Sequence, residues 1–141
     1  MPSRLVLLIL LLGPHTAAFP QNWNQVRSNA ERQHEMVMLL IRNGDFGRVL
    51  ETSRHIFSLR FPASQEHLLV QEGRILSEAL AHHQQFQIAQ GLLDQALRAV
   101  RSNSSKIDLF KEKAYLFTKQ GRDQEAMEFF ERAMELEKSS R

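Results

Sequence analysis

From Gln25 onward, apolar residues recur at helical spacing almost to the end of the chain. Ala126, Phe129, Phe130, Ala133 and Met134 fall at i, i+3, i+4, i+7 and i+8, one face of a helix, so Met134 is expected in the core. Ile107, Phe110, Ala114 and Phe117 form a second stripe before it, and Gly121 stands between the two, where a helix C-terminus needs positive φ. Residues 105–138 therefore read as an antiparallel helical hairpin, with Ser105 and Asp108 as a weak capping box.

Two similar patterns lie upstream. Phe86, Ala89, Leu93, Ala96, Leu97 and Val100 form one stripe, preceded by Leu69, Leu76, Ala79 and Leu80. Phe46, Val49, Leu50, Ile56 and Phe57 form another, preceded by Val37, Leu40 and Ile41. Breaks fall at Asn43-Gly44-Asp45, at Phe61-Pro62-Ala63-Ser64, at His83-Gln84-Gln85 and at Ser102-Asn103-Ser104. The pattern predicts an all-α fold of six helices in three stacked hairpins, about 25–61, 65–101 and 105–138. Ser28 with Glu31 offers a capping box inside the first stretch, leaving two possible starts for that helix.

The beginning of the chain has a different character. Arg4 precedes the apolar run Leu5–Leu12, Gly13 and Pro14 break it, and Thr16-Ala17-Ala18 follows. A basic start, a short apolar core and small residues describe a secretory leader over 1–18, cleaved after Ala18. A spanning helix needs roughly 20 apolar residues. The run is much shorter, so an uncleaved anchor is the lesser alternative. The domain is then 19–141, with Phe19-Pro20-Gln21-Asn22 as coil.

Composition narrows the chemistry. The chain lacks cysteine, which excludes disulfides, thiol catalysis and Cys-ligated metal. Export without disulfides suits a bacterial periplasm. A net charge of +2, with no concentrated basic stripe, argues against nucleic acid as a partner. His82 and His83 are adjacent and point about 100° apart on a helix. His34-Glu35 has Met38 where a zinc-protease motif needs histidine. Neither a phosphate loop nor a nucleophile elbow occurs, so no catalytic residue, metal or cofactor is expected. Asn103-Ser104-Ser105 is a glycosylation sequon, meaningful only in a eukaryotic source.

The last hairpin resembles the tetratricopeptide repeat. Phe110, Ala114, Phe117 and Gly121 match the first helix and turn of that family, and Ala126, Phe130 and Ala133 match its second helix. The middle unit matches at Ser77, Phe86, Ala89, Leu93 and Ala96 but has no turn glycine. The first matches at Gly44, Phe46 and Ile56, with Val49 and Ser53 replacing the alanine and the aromatic. Lys138 stands where the family's closing proline would be. The corresponding positions Phe46, Phe86 and Asp123 are 40 and 37 residues apart, against the family's period of about 34.

The resemblance implies a short superhelix with a concave groove lined by the first helix of each hairpin. Its groove positions are Glu31, His34, Met38 and Arg42 in the first unit, and Gln71, Arg74, Glu78 and His82 in the second. In the third they are Asp108, Lys111, Tyr115, Thr118 and Lys119. Some members grip a C-terminal carboxylate with paired Lys and Asn. Lys111 and Arg74 stand in suitable places here, but the asparagines are missing. The function expected is a non-enzymatic adaptor in the cell envelope, binding a peptide or helix of a partner protein. The alternative is a self-assembling structural repeat protein, a homo-oligomer joined through its hairpin ends.

Overall fold

The computed structural model describes residues 22–141. The leader expected over 1–18, and residues 19–21 of the coil after it, lie outside the described residues. Six α-helices follow: α1 (Trp23–Arg42), α2 (Val49–Phe57), α3 (Glu66–His82), α4 (Phe86–Ala99), α5 (Asn103–Lys119) and α6 (Asp123–Ser139). Single 3-10 turns at Phe46–Arg48 and Ala63–Gln65 lead into α2 and α3. The described residues contain no strand.

Local chemistry sets the helix ends. Asn22 starts α1, its side-chain oxygen accepting the Asn24 N–H at 3.0 Å. Ser28 caps nothing; its hydroxyl accepts from Arg32 one turn on, well inside the helix. Helix α5 starts earlier than the Ser105–Asp108 pair suggests. Ser102 is the cap, and its hydroxyl accepts the Ser105 N–H at 3.1 Å. The reason lies on another helix, because the Glu66 carboxylate holds the N–H groups of Arg101 and Ser102 at 3.1 and 3.0 Å and fixes the chain there. Val100, expected on the α4 stripe, has left the helix with extended backbone, yet remains buried.

The turn inside each pair of helices is the same structure three times. Asp45, Gln85 and Arg122 donate their N–H to the carbonyls of Leu40, Leu80 and Phe117 at 2.8–2.9 Å. Gly44, Gln84 and Gly121 donate to Ile41, Ala81 and Thr118 at 2.9–3.1 Å. These are Schellman caps, with the middle residue left-handed. Glycine supplies that conformation at 44 and 121 (φ 73° and 70°), whereas Gln84 adopts it with a side chain (φ 62°).

Helices pack as α1 on α2, α3 on α4 and α5 on α6. The first helices α1, α3 and α5 lie side by side, α2 packs on α4, and α5 also packs on α4. Ile56, Leu76, Leu80, Leu92, Leu93 and Leu109 are fully buried between them. Each such side chain contributes about 1.5–3 kcal/mol relative to exposure. Small residues set the spacing. A Cβ on Gly73 would meet Ala96 at 3.2 Å and Leu109 at 3.3 Å, and one on Gly91 would meet Leu50 at 3.2 Å. Ser53, in place of an aromatic, donates to Gln95 at 2.6 Å, and Gln95 in turn donates to the Leu50 carbonyl, joining α2 to α4. In the last pair Phe117 stacks on Phe129 at 5.6 Å above the buried Ala114, Ala126 and Ala133. Met134 departs from its expected place: it is 53% exposed, because among the described residues only α5 packs extensively on α6, and it does so on another side.

Candidate binding surfaces

The groove positions divide into exposed and engaged. On α1, Glu31 is exposed and pairs with Arg27 at 3.6 Å, and Arg42 is exposed at the helix end. His34 reaches across to α3, its Nδ1 lying 2.5 Å from the Glu72 carboxylate, and Met38 packs on the core. On α3, Gln71, Glu78 and His82 are exposed, while Arg74 reaches across to α5 and bonds Glu112 at 2.9 Å. Burial pushes the Glu72 carboxyl above its ordinary range, against the opposing effect of His34. The His34–Glu72 and Arg74–Glu112 pairs span the same interval of 38 residues, so they tie successive first helices in one register.

On α5, Asp108 and Lys111 border α6, where Lys111 pairs with Glu137 at 3.2 Å. Tyr115 is half exposed and meets Phe130 edge-on at 5.4 Å. Thr118 is exposed, its hydroxyl donating to the Tyr115 carbonyl, and Lys119 is exposed at the helix end. The structure thus brings Glu78, His82 and Lys119 into one recess of about 530 Å³, with Gln84 and Phe86 beside them. It gathers Asp108 and Lys111 at the far side of α5. His34, Met38 and Arg74 it turns into contacts between elements.

Three features were not visible in the sequence pattern. Lys113 is buried on α5, pairs with Asp94 of α4 and places its ammonium 4.8 Å from the centre of the Phe129 ring of α6. Such a cation over an aromatic face adds about 0.5–2 kcal/mol. The second feature is a recess of about 870 Å³, formed where the α2–α3 and α4–α5 links run side by side. Phe57, Phe61 and Leu69 line it, with Arg60 and Arg101. A smaller recess of about 230 Å³ adjoins it through Phe57, Ser58 and Ala99 and adds Arg54 and Arg98. The third is Glu66 in the wall of the larger recess. Burial pushes its carboxyl up, but hydrogen bonds from Ser102, Ser105 and Arg101 outweigh that and hold it at about 2. The four arginines come from positions 54, 60, 98 and 101, two well-separated stretches that only the stacking of the hairpins brings together.

Compared with family models, curated proteins and solved structures, the chain matches none.

Proposed function

We infer that the chain is a non-enzymatic helical-repeat adaptor of tetratricopeptide type in the bacterial cell envelope, exported by its leader. It holds a peptide or helix of a partner protein on the face formed by α1, α3 and α5. The observation that carries this reading is the recess of Glu78, His82 and Lys119, where side chains of two adjacent first helices meet with both charge signs present. Polar groups converging on a concave site are what orients a bound chain. Tyr115 extends the same helix row with half its surface exposed, and tyrosine is a residue type enriched at binding hot spots.

The test replaces Glu78, His82, Tyr115 and Lys119 together with alanine and measures affinity for partners captured from an envelope extract by the full chain. Affinity should fall at least tenfold while the circular dichroism spectrum is unchanged. Unchanged affinity refutes the assignment of this face. Arg74 and Lys111 are left intact because each holds an ion pair within the fold.

Self-assembly is the second reading, and one observation favours it. Met127 and Met134 are each more than half exposed on α6, on a side that no helix among the described residues covers. A mass that rises with concentration in light scattering, and returns to the monomer in Met127→Lys/Met134→Lys, would support it. A monomeric mass at every concentration would remove it.

A further inference from the structure

We propose that the recess between the two inter-hairpin links is a second binding site, and that its ligand is an acidic peptide segment carrying an apolar side chain. The site lies at the α2–α3 and α4–α5 links and uses none of the α1, α3 and α5 groove residues. The inference is therefore independent of the reading of that face.

Charge is the first argument. Arg60 and Arg101 line the larger recess, and Arg54 and Arg98 line the smaller one that shares its wall. Among the described residues, none of these four guanidinium groups has a carboxylate within 4 Å, whereas those of Arg27, Arg48, Arg74 and Arg122 do; Arg32, Arg42, Arg132 and Arg141 are likewise without an ion pair. Glu66 is the acid in the wall, and its oxygens already accept from two backbone N–H groups and the Ser102 hydroxyl. It stays ionised and offsets one of the four positive charges, leaving the lining net positive. Four arginines on two adjoining recesses make the local field positive and raise the affinity for an anion. The planar fork of arginine matches a carboxylate with two parallel hydrogen bonds.

The lining supplies the second argument. Phe57 and Leu69 form a buried apolar floor, and Phe61 stands half-buried above it. A bare anion gains nothing from that floor, whereas an aromatic or aliphatic side chain does. The volume of about 870 Å³ falls within the range of ligand sites, roughly 300–1,000 Å³. The recess is open to solvent along one side, which lets a peptide backbone stay hydrated while its side chain is buried. An extended phosphate backbone would need a track of cations rather than one confined cluster.

The walls of the recess are also rigid. Trp23 of α1 packs edge-on against Phe61 at 5.2 Å, and Glu66 pins the α4–α5 link, so both walls are held before any ligand arrives. Preorganised walls reduce the ordering cost of binding.

The test is fluorescence anisotropy of the full chain with a labelled peptide of alternating glutamate and phenylalanine. A lysine–phenylalanine peptide serves as control, and inorganic phosphate and phosphatidylglycerol vesicles are competitors. The acidic peptide should bind, the basic one should not, and added salt should weaken binding. Arg60→Glu/Arg101→Glu should weaken it at least tenfold, and Arg60→Gln/Arg101→Gln, milder in its charge change, at least threefold. The charge-matched Arg32→Glu/Arg132→Glu should leave it within twofold. Absence of binding, equal loss in the charge-matched variant, or full displacement by phosphate or vesicles would overturn the proposal.

Discussion

Gln84 holds a left-handed backbone that costs a side-chain-bearing residue about 1–2 kcal/mol, at the place where the other two turns use glycine. Replacing it with glycine should raise stability by about 1 kcal/mol once the greater flexibility of unfolded glycine is subtracted. The corresponding rise in melting temperature is about 3–6 °C, and an unchanged Tm would show the turn to be unstrained. Glu66 gives a pH signature. Its folded pKa of about 2 lies below the ordinary 4.5, so its stabilisation is complete above 4.5 and is lost as pH falls through about 2. The carboxylate is only partly buried, so solvent screening reduces the effect to about 1–2 kcal/mol. Urea titrations should show Glu66→Gln weaker than the parent by that amount at neutral pH and equal to it near pH 2. The glycines at 44 and 121 announce their turns in the sequence. The partner of Glu66 does not, because the N–H groups it binds lie 35 and 36 residues away.

Helices were the most legible scale. Stripes of Val37 and Ile41, of Leu69, Leu76 and Leu80, and of Ala89, Leu93 and Ala96 are all buried, as their spacing requires. Their ends were less legible, because the caps of α1 and α5 depend on single side chains at Asn22 and Ser102 that periodicity does not register. Which residues lie between elements was legible only in part. Gly73 sits where α3, α4 and α5 converge, and Gly73→Val should destabilise by about 1–3 kcal/mol through overpacking. Gly47→Ala makes the comparison, since a Cβ there meets nothing within 4 Å and the cost should stay below about 0.5 kcal/mol. Equal urea midpoints for these two variants would contradict the close approach of the helices.

At the scale of the whole molecule, the stacking register decides which side chains are available. His34 and Arg74 look like groove residues in one dimension, but packing turns them toward carboxylates 38 residues on. The arginine recess is invisible in one dimension for the converse reason: its cations come from the last turns of α2 and α4 and the links that follow them, which only packing brings together. Met134 sits on the helical stripe of α6 yet is exposed, because among the described residues only α5 packs extensively on α6, and it does so on another side. Binding of a partner on the α1, α3 and α5 face, the proposed function, is open to hydrogen exchange read by mass spectrometry. With a captured partner bound, exchange should slow at the C-terminal ends of α3 and α5, around Glu78, His82, Tyr115 and Lys119, and change little in α2. Protection confined to α2, α6 or the links, with those two helix ends unchanged, would contradict it.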